Sequence, residues 1–157
     1  MISEVLKDLE VSNVHYTLFS GNISLQRAFE GRGDFDVLIE DADLPQLIEL
    51  LTNHGFVERK FNEDEVDERV HNYIKYDPKE EKMFHFHIHT KVFVDSEGEF
   101  HFDNTEWWIK QGLPEELHGI RLVNPTFEFA LAVLNFSYTE LTKTIKRKVK
   151  KAIKSKH

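Results

Sequence analysis

Residues 84–89 read Phe-His-Phe-His-Ile-His, and that strict alternation is the tightest constraint in the chain. A period of two belongs to a β-strand, whose successive side chains leave opposite faces. His85, His87 and His89 therefore share one face, while Phe84, Phe86 and Ile88 share the other and face a core. Asp34-Phe35-Asp36-Val37-Leu38-Ile39 carries the second such signal. Its two carboxylates point the same way from a stretch apolar enough to lie inside a sheet.

Turn and helix signals divide the remainder. Residues 2–10 predict a short helix, His15 to Phe19 a strand, and Ile23 to Glu30 a second helix after Ser20-Gly21-Asn22. Asp41 or Asp43 can cap a helix in which Leu44, Leu47, Ile48, Leu50 and Leu51 recur on one face, and Gly55 ends it. Phe56-Val57 starts a strand, Asn62 to Glu68 is an acidic loop, and Val70 to Tyr76 with Met83 to Val94 form a hairpin. Asp95 to Gly98 is a turn, Asn104 to Gln111 a short capped helix, and Leu117 to Val123 a last strand. Asn124-Pro125 opens a long helix, with Asn as cap and Pro at its first position. Its stripe of Phe127, Leu131, Leu134, Tyr138, Leu141, Ile145, Val149 and Ile153 predicts one buried face. No repeat or linker interrupts the pattern, so residues 1–157 read as one mixed α/β domain, with the helix over 124–157 as an alternative start of a further domain.

Charge narrows the partners. The net charge is −8, yet residues 140–157 carry +7, which leaves −15 on the rest. An acidic body does not hold nucleic acid by phosphate neutralisation, so only the basic tail Lys143–Lys156 offers such a contact. The chain has no cysteine, which excludes disulfides and cysteine zinc sites. No apolar run approaches the roughly 18 residues of a membrane span, and the first residues lack an apolar stretch of signal-peptide length. A cytoplasmic protein is the expectation.

The carboxylate strand is where chemistry is expected. An isolated Asp-x-Asp is more often the solvated entry of a strand. Inside a sheet, however, two nearby carboxylates repel each other and lose hydration, and a divalent cation removes both penalties. The preceding turn, Ser20-Gly21-Asn22, opens a helix whose backbone N–H groups suit a triphosphate. On these residues the chain resembles the nucleotidyltransferase superfamily, whose signature is a Gly-Gly or Gly-Ser turn followed by Asp-hydrophobic-Asp. Gly33 to Ile39, the capped helix after it and Gly55-Phe56 are especially similar. So is the later His-hydrophobic-His strand of nucleotidyltransferase-like domains encoded near surface-polysaccharide genes.

The resemblance implies a mixed sheet with helices packed on one face. It implies that Asp34 and Asp36 hold a divalent metal, Mg2+ by default. It further implies that Ser20, Gly21, Asn22 and Arg32 contact a nucleoside triphosphate, whose nucleotidyl group passes to an acceptor. The family's third carboxylate lies on a later strand, and His87 is the best substitute here, as metal ligand or general base. Imidazole there would shift preference toward Mn2+ or Zn2+. An inactive nucleotide- or sugar-phosphate-binding module of the same fold is the alternative. His85 to His89 also matches the first five positions of the histidine-triad hydrolase motif, but Thr90-Lys91 breaks its end. A plain exposed histidine face stands beside both readings.

Overall fold

In a computed structural model, which describes residues 1–19, 22–59, 68–94, 100–114 and 119–154, the two motif strands lie side by side. β1 (Tyr16–Leu18), β2 (Asp34–Ile39), β3 (Val57–Glu58), β4 (Val70–Asp77) and β5 (Lys82–His89) belong to one seven-stranded mixed sheet. β8 (Leu113–Pro114) and β9 (Arg121–Leu122) complete it, in the order β3-β4-β5-β2-β1-β9-β8. β6 (Val92–Phe93) and β7 (His101–Phe102) form a separate two-stranded sheet. The helices are α1 (Ile2–Val11), α2 (Asn22–Phe29), α3 (Leu44–Asn53), α4 (Thr105–Lys110) and α5 (Pro125–Lys154).

Alternation sets the core. Phe35, Phe84, Phe86 and Ile88 are fully buried, all on the face covered by Leu6 and Leu9 of α1, Leu25 of α2 and Leu47 of α3. Each side chain so buried contributes roughly 1.5–3 kcal/mol. Phe35 stacks on Phe86 with ring centroids 5.0 Å apart, and Phe56 meets Phe86 edge-on at 5.2 Å. These contacts pin the register: a slip of one residue would turn every Phe outward and every Asp and His inward. β5 is held on its other side by the hairpin to β4, whose turn is tied by Asp77. Its Oδ1 accepts the N–H of Lys79 at 2.9 Å, which holds the carboxyl below its ordinary value.

The opposite face, which carries both aspartates, is covered at one end. There Trp108 and Ile109 of α4 bury Leu38, with Phe127 and Leu131 of α5 packed beside them. Within the pair Trp107-Trp108 the second ring is buried and the first half-exposed.

Three expectations need correction. The strand expected to run to Val94 breaks after His89, because the chain turns at Thr90: its carbonyl accepts the hydroxyl of Thr105 at 2.8 Å. In the described part of the last expected strand, residues 119–123, the strand is Arg121–Leu122, and it pairs with β8, which the sequence did not suggest. Among its described side chains, the stripe of α5 is part-buried only at Phe127, Leu131 and Tyr138. Leu134, Leu141 and Ile145 are 43%, 59% and 51% exposed, because a 30-residue helix of about 45 Å outruns the face it covers. Ser20 and Gly21, most of the acidic loop 62–68, the turn 95–98 and the last side chains of the basic tail lie outside the described residues. No described helix is long and apolar enough to cross a membrane.

Candidate metal centre and its flanking cavities

The parallel pairing of β2 with β5 sets Asp34 opposite His85, Asp36 opposite His87 and Leu38 opposite His89. Each aspartate meets the imidazole across from it, so the two carboxylates separate into two systems. In the first, His85 Nδ1 lies 2.8 Å from Asp34 Oδ1 and Nε2 lies 2.9 Å from Asn72 Oδ1. Both nitrogens of His85 are thus occupied, one by β2 and one by β4. Asp34 remains half-exposed.

In the second, Asp36 Oδ1 lies 3.2 Å from His87 Nδ1, and that same nitrogen lies 3.2 Å from His89 Nε2. The rings of His87 and His89 are 4.2 Å apart at 65°, closer than those of His85 and His87 at 5.9 Å. Among the described residues, Asp36, His87 and His89 make the one group able to offer three ligand atoms together, all within 4.8 Å of one another. Donors about 2.0–2.1 Å from a common ion stand roughly 3.0–3.4 Å apart in tetrahedral or octahedral geometry. The two 3.2 Å separations meet that test. Two nitrogens and one carboxylate oxygen suit a borderline transition metal better than a hard cation.

The expected set of Asp34, Asp36 and His87 is therefore only partly assembled: Asp36 and His87 come together, Asp34 pairs with His85, and His89 completes the group. His89 stands outside the expected set because the resemblance implies one further ligand, at the place of a third carboxylate. The signal was present, since alternation already put His87 and His89 next to each other on one face.

Asp36 lines two cavities. One, of about 640 Å³, is bounded by Arg27, Arg32, Gly31, Gly33, Asp34 and Arg59. Arg32 is hydrogen-bonded to Glu30, which lowers the carboxyl of Glu30, and the Arg27 guanidinium donates to the Arg32 carbonyl at 3.5 Å. The second, of about 630 Å³, lies between the sheet and α5, with Phe19, His89, Phe93 and Phe136 on its walls. Arg32 thus lines the same cavity as Asp34 and Asp36. Of the expected turn, Ser20 and Gly21 lie outside the described residues, and Asn22 is placed only as the first residue of α2. No family model matches the chain, and no curated protein or solved structure matches it either.

Proposed function

We propose that this chain is a divalent-metal-dependent nucleotidyltransferase, passing a nucleoside monophosphate from a nucleoside triphosphate to an acceptor hydroxyl. One observation carries the reading: β2, with Asp34 and Asp36 on one face, runs between antiparallel β1 and parallel β5, which sets His87 across from Asp36. That arrangement agrees with the resemblance, with an imidazole where a third carboxylate would stand. Such chemistry draws on the nucleotide pool of the cytoplasm.

Asp36, His87 and His89 would hold the ion, which would supply positive charge against the phosphate oxygens. Two imidazoles in the set favour manganese or zinc over magnesium, which prefers oxygen donors. Asp34 is tied to His85 through Oδ1. In this reading its Oδ2 takes the acceptor's hydroxyl proton as that oxygen bonds to the α-phosphorus and pyrophosphate departs.

Incubation with each nucleoside triphosphate, Mn2+ or Mg2+ and a panel of hydroxyl acceptors tests the proposal through pyrophosphate release. The parent should release it and Asp36→Asn should not. Equal release from both would refute the assignment. A second reading, a binding module that kept the fold without the chemistry, is favoured by His87 at the third carboxylate's position. Nucleotide binding with no pyrophosphate release across the panel would decide for it.

A further inference from the structure

We infer that the ligand of this site has two unlike ends, seated in the two cavities that meet at Asp36: a polyphosphate among the arginines and a flat aromatic ring beneath α5. The inference rests on the transfer reading and adds to it where the nucleotide's two ends bind. The arginine cavity draws its cations from three separate segments: Arg27 on α2, Arg32 before β2 and Arg59 after β3. Guanidinium forks match phosphate oxygens in pairs. Gly31 and Gly33 also line this cavity. Of the carboxylates on this wall, Asp34 already faces a ring nitrogen of His85, and Asp36 faces His87.

The α5 cavity has a different chemistry. Phe19, Phe93, Phe136 and Leu131 form apolar walls, and its charged residues, Lys91 and Lys143 against Asp36, Glu128 and Glu140, leave one net negative charge. A polyanion gains little there, whereas an uncharged ring gains apolar contact and aromatic stacking. One turn apart on α5, Thr139 donates its hydroxyl to Asn135 Oδ1 at 3.4 Å. Asn135 lines the cavity, where its amide N–H2 can donate to the edge of a base. Each cavity falls within the roughly 300–1,000 Å³ of small-molecule sites. A nucleoside triphosphate, with its base under α5 and its phosphates beside Arg27, is the ligand class that satisfies both.

Three probes test the division: tripolyphosphate for one cavity, adenosine for the other and ATP for both, each by calorimetric titration at one fixed Mn2+ concentration. Arg27→Gln should weaken tripolyphosphate and ATP by about tenfold or more, the worth of one charged hydrogen-bonding partner, and leave adenosine unchanged. Phe136→Ser should weaken adenosine and ATP by about tenfold, the worth of one base–aromatic stack, and leave tripolyphosphate unchanged. Each variant thus keeps one ligand as proof that it is folded. If Phe136→Ser weakens tripolyphosphate as much as adenosine, or Arg27→Gln spares tripolyphosphate, the two-cavity assignment is wrong. The expected pattern without pyrophosphate release would leave the cavities assigned and sink only the transfer reading.

Discussion

Phe86 and His87 are neighbours in sequence, and the fold assigns them to opposite tasks. Phe86 is fully buried between Phe35 and Phe56. Its truncation to Ala removes a ring from a closed core and leaves a cavity, a loss of about 3–5 kcal/mol. For a domain of this size each kcal/mol moves the melting temperature by about 2–4 °C, so the midpoint should fall by roughly 6–20 °C. His87 has a side chain 31% exposed, and on the aspartate face it meets the Asp36 carboxylate and the ring of His89. His87→Ala should stay within about 1 kcal/mol of the parent. Urea unfolding followed by the fluorescence of Trp107 and Trp108, with a chelator present so that metal binding does not enter, measures both. Phe86→Leu keeps much of the apolar volume and should fall between them, which preserves the comparison should Phe86→Ala fail to fold. Equal losses for Phe86→Ala and His87→Ala would refute the alternation on which the site is built.

Three further outcomes follow from other parts of the fold. Asp77 has a carboxyl held below its ordinary value of 3.8 by the backbone N–H groups of its turn. Its ionised form therefore stabilises the fold fully above that pH and loses the effect as pH falls through the lower folded value. The gap in thermal midpoint between the parent and Asp77→Asn should be widest at neutral pH and close on acidification. On α5, Leu141→Glu should leave unfolding within about 0.5 kcal/mol, whereas Leu131→Glu, at the end packed beside Trp108, should cost about 2 kcal/mol or more; denaturant titration separates them. Gly31 sits at φ +70 with the Cβ of Lys82 2.8 Å from where its own would lie, so Gly31→Ala should cost about 1–3 kcal/mol by the same titration.

What could be read from the chain was whatever one strand or one helix decides alone. The alternation from Phe84 to His89 named both faces of β5, and Asp34-Phe35-Asp36 did the same for β2. Asn124-Pro125 marked the start of α5, where Asn124 Oδ1 accepts the N–H of Thr126 at 3.0 Å. What could not be read depends on a neighbour distant in sequence. The pairing of Asp34 with His85 follows from the register of two strands 51 residues apart. The break at Thr90 follows from a hydroxyl on α4. The stripe of α5 states that a face is apolar and says nothing about what covers it. Leu131 packs against the cluster of Leu38, Val92, Trp108 and Ile109, and Leu141 meets solvent. His89 lies between the two cases, visible as a neighbour of His87 but identifiable as a ligand only once Asp36 stands beside them.

The central claim, that Asp36, His87 and His89 form one metal centre while Asp34 and His85 form a separate pair, is tested most directly by Co2+ titration. Visible absorption reports coordination, and Zn2+ competition reports affinity. The parent should bind one equivalent. Asp36→Ala, His87→Ala and His89→Ala should each weaken binding beyond the roughly 10–100-fold lost when an outer partner is removed. Asp34→Asn and His85→Ala should leave it unchanged. Abolition of binding by Asp34→Asn with His89→Ala behaving as the parent, or no bound equivalent in the parent at all, would contradict it.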